Sequence, residues 1–224
     1  MTLSIVARLT EANLFGVAIA SSSPAVAARC AHARRGAGAV ATQNITDPSL
    51  GPQILDELGR GVSARVALDD ALHSTPFGAY RQLVVVGRDG PPVVHSGAKA
   101  LGVVAAAIGV DAAAAGNLLA HPDVPSAMLG GFATATLEFP ARLLRALHAG
   151  VAAGGEAGPI HSAGLLVVRD VSWPIIDLRV DWVDEDPVAE LISLWERYQP
   201  QVEDYIRRAL DPAAAPSFGV PGDR

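Results

Sequence analysis

The sequence has 224 residues, of which 50 % are hydrophobic, 18 % charged and only 5 % aromatic. Such apolar content excludes a disordered chain, and the length suits a single domain. The formal net charge of −6 leaves no basic excess to grip a nucleic-acid backbone or an anionic membrane. The apolar half is mostly Ala, Val, Leu and Ile. These residues stabilise a core through many small burials, each methylene worth about 0.8 kcal/mol.

Thr2 to Arg8 and Phe15 to Ser21 both alternate with β-favouring residues, and Thr-Glu-Ala-Asn between them has turn chemistry. This predicts an N-terminal hairpin. Gly38 to Gln43 reads as a third strand. Two amphipathic helices follow, one over Pro52 to Leu58 and one from Ser63 as N-cap to His73, with Val66, Leu68 and Leu72 as its apolar positions. Strands are expected at Tyr80 to Gly87 and Val93 to His95. Leu101 to Val110 fits strand and helix alike. Helices are expected at Asp123 to Ala133 and Pro140 to Ala153, and strands at Ala163 to Arg169 and Ile175 to Asp181. A last helix is predicted from Asp186, with Pro187 in its first turn, to Leu210. The Pro/Ala/Gly-rich tail over 211–224 reads as disordered, which leaves one domain over 1–210. Strands come in groups, without βαβ alternation. The fold class is therefore α+β, with antiparallel sheets and helices layered outside them.

Several chemistries are absent from the sequence. There is no Gly-rich phosphate loop, no H-E-x-x-H and no G-x-S-x-G. Cys30 is the only cysteine, so an intrachain disulfide and a multi-cysteine metal site are excluded. The six histidines show no i, i+2 or i, i+4 pairing, and Cys30 with His32 supplies too few ligands for zinc. No metal site and no cofactor are expected. No apolar run reaches the ~18 residues of a membrane span, and Met1 is followed directly by strand-like sequence. A cytoplasmic protein is expected, with a small-molecule substrate and neither nucleic acid nor membrane as partner. Val188, Leu191, Ile192 and Trp195 form an apolar stripe on the last helix, suited to covering a sheet or to a homo-oligomer contact.

Two nucleophile patterns remain. Ser96-Gly-Ala-Lys99 matches the S-x-x-K of serine acyl enzymes, though a polar turn after a strand explains it too. The amino terminus is more informative. Thr2 is small enough for Met1 to be excised. Its free α-amine would then have an ordinary pKa of about 7.7–8.0. That amine would sit on the same residue as a hydroxyl, so one residue supplies both nucleophile and base.

Thr2-Leu-Ser-Ile-Val-Ala-Arg8, Phe15-Gly-Val-Ala-Ile-Ala-Ser21 and Gly36-Ala-Gly-Ala-Val-Ala-Thr-Gln43 resemble the opening of the DUF1028 family, bacterial proteins regarded as N-terminal nucleophile (Ntn) hydrolases. Further matches run through Pro48-Ser-Leu-Gly51, Arg81-Gln82, His95-Ser-Gly97, Gly116-Asn-Leu-Leu119, Ala153-Gly-Gly155, Ser162-Ala163 and Asp177-Leu-Arg-Val-Asp181. The resemblance covers roughly residues 2 to 198. It implies a four-layer αββα sandwich, in agreement with the grouped strands. The residues themselves make Thr2 the expected nucleophile on a C–N (amide, cyclic amide or imine-like) bond, with Asn117 as oxyanion donor or, equally, as a turn or helix-cap residue.

Ser21, Thr42 and Gln43, at predicted strand ends, are candidate substrate contacts, as are Gln82 and His95 at family positions. Capping and structural hydrogen bonding are the plainer roles for all five. Asp177, Arg179 and Asp181 share one strand face, as a binding cluster or a solvated salt-bridge row. The chain departs from the family pattern over Leu101 to Ala115, which is nearly all Ala, Val, Gly and Ile where relatives carry Cys and Gly-His. It departs again at Glu156-Ala-Gly-Pro-Ile-His161, where His161 is a candidate replacement contact. These changes imply a more apolar substrate or a lost activity. Besides the Ntn-type hydrolase, a non-catalytic ligand-binding member of the fold and a Ser96/Lys99 acyl enzyme are the alternatives.

Overall fold

The computed structural model describes residues 1–133 and 136–219. The chain begins with β1 (Thr2–Leu9), a 3-10 turn closed by Asn13 in the left-handed conformation, and β2 (Leu14–Ser21). Then come α1 (Val26–Cys30), β3 (Ala31–Arg34), β4 (Gly38–Asn44), α2 (Leu50–Gly59), α3 (Ala64–His73), β5 (Arg81–Gly87) and β6 (Val93–Ser96). The second half contains β7 (Ala105–Ile108), β8 (Ala112–Asn117), α4 (Val124–Phe132), α5 (Phe139–Ala152), β9 (Ser162–Val168), β10 (Ile176–Val180), α6 (Pro187–Tyr198) and α7 (Val202–Leu210).

The strands form two sheets, six-stranded in the order β10-β9-β2-β1-β8-β7 and four-stranded in the order β3-β4-β5-β6. Every paired register is antiparallel. Strand alternation sends Leu3, Ile5 and Ala7 of β1 into a core with Met128, Leu143, Leu147, Leu191 and Trp195. Val6 points the other way, with Val17 and Ile19, onto Ala39, Ala41, Val84 and Val86 of the second sheet. The outer face of that sheet, with Val40, Leu83 and Val85, is covered by Leu50, Ile54, Leu58 and Leu68 of α2 and α3. The layers are thus helices, sheet, sheet, helices: the expected αββα sandwich. Arg8 closes one end of the inter-sheet layer. It donates to Asp111 at 2.8 Å and to the Gly87 carbonyl at 3.0 Å.

Local details differ from the sequence reading. The last helix is two helices, because Pro200 lacks an N–H and its ring opposes the carbonyl four residues back; a 3-10 turn over Gln199–Gln201 replaces that stretch. Asp186 does cap α6, accepting from Val188 N and Ala189 N at 3.0 Å each. Its apolar stripe covers the six-stranded sheet. On α3 the buried residues are Ala64, Ala67, Leu68 and Ala71, while Val66 is exposed; small alanines pack closest to the sheet. Ser63 is the N-cap as expected, accepting from Val66 N. The ambiguous Leu101 to Val110 becomes a loop followed by edge strand β7, and α1 and β3 are additions too short to show a period. Over 211–219 there is no helix or strand. Arg208 donates there to the carbonyls of Pro216 and Ser217 and lies over the Phe218 ring. The remainder of the expected tail, 220–224, lies outside the described residues.

Candidate functional site

The end of the inter-sheet layer opposite Arg8 is polar. Thr2 pairs with Asn117 across β1 and β8, and its Oγ1 lies 3.4 Å from Ser21 Oγ on β2. Gln43 and Gln82 face each other on β4 and β5. Thr2, Ser21, Asn117, Gln43, Gln82 and Ser4 are all buried. Uncompensated, that many polar groups would each cost about 1–3 kcal/mol. Ser4 Oγ donates to Gln43 Oε1 at 2.6 Å. Gln43 Nε2 donates to Gln82 Oε1 at 2.8 Å and to the Ala115 carbonyl at 3.2 Å. Gln82 Nε2 donates to the Gly116 carbonyl at 3.0 Å and to Ser96 Oγ at 2.9 Å.

The two backbone carbonyls fix which way each glutamine amide points, so Gln82 Oε1 must accept. Asn117 Nδ2 donates to it at 3.0 Å. The opposite atom, Asn117 Oδ1, is buried without a hydrogen-bond partner. Strain sits beside it: Leu118 is left-handed at φ 51°, a conformation costly for a residue with a branched side chain. Three backbone hydrogen bonds hold the turn, Leu118 N to Leu101 O, Leu119 N to Val103 O and Ala157 N to Leu118 O.

Met1 lies across this group. Its carbonyl oxygen accepts from both Thr2 Oγ1 and Ser21 Oγ. Its side chain reaches Gly158, on the wall of a cavity of about 220 Å³ that Gly155, Glu156, Glu185 and Asp186 also line. Both Glu156 carboxylate oxygens accept from Ser22 N, at 3.2 and 3.1 Å. Burial pushes the Glu156 pKa up to about 7, against the pull of the chain's α-ammonium, the Ser22 hydrogen bonds and His161.

The other expected site residues lie elsewhere. Thr42 is one residue from Gln43 and therefore faces away; its hydroxyl donates to Arg29 O and accepts from Thr46. His95 pairs with Leu83 and holds the Gly78 carbonyl at 3.0 Å. His161 adjoins the site through its backbone N–H to Ser21 O. Its ring stacks on Trp182 at 4.2 Å and bonds the Val183 carbonyl. Ser96 Oγ is held by Gln82, whereas Lys99 Nζ donates to the Tyr80 hydroxyl at 3.1 Å. Arg179 grips Asp177 in a two-point surface pair, a solvated row. Among the described residues no three His, Cys, Asp or Glu side chains gather as metal ligands, and no helix is long and apolar enough to cross a membrane.

Sequence reasoning did not pick out Ser4 or Glu156. The β1 alternation already put Ser4 on the Thr2 face. Glu156 carried no signal, since its partner Ser22 is far away in the chain.

The comparison with protein families decides the membership. A family described as "Family of unknown function (DUF1028)" matches residues 2–191. The chain belongs to the DUF1028 family. A crystal structure of a DUF1028 protein from Silicibacter pomeroyi is similar at 27 % identity and a TM-score of 0.84, covering 92 % of this chain and 94 % of that one. The Thiobacillus denitrificans protein BPH, solved in complex with epoxomicin, is a remote match at 16 % identity and a TM-score of 0.39, over 75 % of this chain and 98 % of that one. No curated protein matches the chain. DUF1028 membership thus accounts for the fold and for nearly the whole chain, and leaves the activity to the site.

Proposed function

We propose that this DUF1028 protein is an Ntn hydrolase that cleaves a C–N bond in a small amide, cyclic amide or imine-like molecule, without a cofactor. Thr2 is the nucleophile once Met1 has been excised. One observation carries the reading: Thr2 stands opposite Asn117, whose Oδ1 is a buried acceptor without a partner in an otherwise satisfied network. A buried unsatisfied acceptor costs stability, and a substrate N–H is the donor that would satisfy it.

The chemistry follows from the contacts. The freed Thr2 amine takes the proton from Oγ1, and Oγ1 attacks the substrate carbon. In this reading the substrate carbonyl oxygen lies near the Thr2 and Ser21 hydroxyls, which already donate to one carbonyl oxygen, with Ser21 Oγ as its donor. The second Asn117 Nδ2 hydrogen is a further donor to the developing oxyanion. The C–N bond breaks as the amine's proton passes to the leaving nitrogen, and water then hydrolyses the Thr2 ester.

Intact-mass measurement and turnover on a panel of small amides and lactams test this. Loss of Met1, with turnover abolished in Thr2→Ala, is expected; Met1 retained in active protein overturns it. The Met1 carbonyl lying across both hydroxyls favours a second reading, a non-catalytic ligand-binding protein, in which Thr2→Ala changes affinity alone. We carry a cytoplasmic homo-oligomer with the proposal, to be tested by fractionation and light scattering.

A further inference from the structure

Glu156 is a buried titratable group that the mechanism above leaves unused. It follows Gly154 and Gly155, whose φ values of 116° and 60° fold the loop after α5 back so that Glu156 bridges Leu119, two residues beyond Asn117. It is 5 % exposed, and Ser22 N donates to both of its oxygens. Two carboxylate oxygens offer about four acceptor sites, so the contacts with Ser22 leave room for a further donor. Ser22 follows Ser21, whose hydroxyl shares the Met1 carbonyl with Thr2. Among the described residues, the titratable groups around Glu156 are the α-amine and His161, whose pull favours its ionised form, and Glu185 and Asp186, which line the same cavity. Excising Met1 moves the α-amine by three covalent bonds, less than about 4 Å, onto Thr2, whose Oγ1 lies 3.4 Å from the hydroxyl of Ser21, the residue before the one that donates to Glu156.

We infer that Glu156 is the positioning residue for the Thr2 α-amine, its carboxylate holding the amine beside Oγ1 and carrying the ammonium formed there. The inference rests on the reading of Thr2 as an N-terminal nucleophile. The proton leaves Thr2 Oγ1, binds the amine nitrogen and is later passed to the leaving nitrogen. Glu156 hydrogen-bonds the ammonium throughout and neither gains nor loses a bond to substrate. A carboxylate that orients a base and stabilises its charged form plays the part that the aspartate has in a Ser-His-Asp triad.

The test reads the amine directly and needs no substrate. Competitive labelling with acetic anhydride across pH, followed by mass spectrometry of the N-terminal peptide, gives the α-amine pKa in wild type, Glu156→Gln and Glu156→Asp. Loss of Met1 and native circular dichroism are checked first. In Glu156→Gln the amine pKa is expected to fall by about one unit or more, and Glu156→Asp to show a smaller fall. If the Gln variant does not fold, the Asp variant carries the comparison. Met1 lost, with an amine pKa unchanged in the folded variants, overturns this inference and leaves the nucleophile reading standing. Met1 retained overturns both.

Discussion

Thr2 and Asn117 stand directly opposite each other on β1 and β8, with their side chains on the face turned toward the four-stranded sheet. Cross-strand partners of this kind have Cβ atoms about 4.5–5.5 Å apart. A hydroxyl and an amide are thus held side by side by backbone hydrogen bonding, with no flexible loop between them.

Asn117→Ala should then lower kcat by about 100- to 1000-fold on any amide that the wild type hydrolyses, the range for removing one oxyanion donor. Stability should drop by only about 1 kcal/mol, for the lost bond to Gln82. Steady-state kinetics with urea melts separates the two effects. An unchanged kcat would remove Asn117 from the chemistry.

Gln82 ties Gln43, Asn117, Ser96 and the Gly116 carbonyl together. Gln82→Leu leaves several of these groups unsatisfied in a buried layer. It is expected to cost about 2–4 kcal/mol, read as a lower urea midpoint with an unchanged slope. Ser4→Ala removes one bond to Gln43 and should cost about 1 kcal/mol.

Glu156 makes stability depend on pH. Its pKa is raised from 4.5 to about 7 in the folded chain, so between those values the folded state binds the extra proton. The stabilisation is fully present below about 4.5 and is lost as pH rises through 7. The slope is at most about 1.4 kcal/mol per pH unit. Glu156→Gln should flatten this part of the stability curve relative to wild type. Thermal melts from pH 4 to 8, a range set to bracket both values, give the comparison, and parallel curves would refute it.

Gly97 follows Ser96 where the chain turns under the Gly78–Tyr80 segment. A Cβ there would collide with the Ala79 carbonyl and the Gly78 oxygen, both backbone atoms that cannot swing aside. Gly97→Ala should destabilise by about 1–3 kcal/mol and displace Ser96 from Gln82, which differential scanning calorimetry and the Gln82 side-chain amide NMR signals would register.

Several elements were legible in the sequence for local reasons. Alternation in Thr2 to Arg8 and Phe15 to Ser21 specifies strands whatever they pair with, and Asp186-Pro187 starts a helix by capping chemistry alone. The Ala-rich stretch that ends at Ala115 is the opposite case. Its alanines carry no period, because β8 is buried on both faces between two cores. Its strand identity comes from β1 on one side and β7 on the other.

The sequence by itself determined that the Thr2 hydroxyl stands at the start of a strand, since the alternation from Thr2 to Arg8 is local. It also determined that Ser4 shares the face of Thr2, since strand periodicity is local. Only the tertiary structure decided that Gln43 enters the site and Thr42 does not. Both are polar neighbours at a strand end, and the choice depends on which face of β4 meets the other sheet. It likewise decided that Glu156 sits beside Ser22. That contact spans 134 residues of chain, and no local pattern encodes a neighbour so distant in sequence.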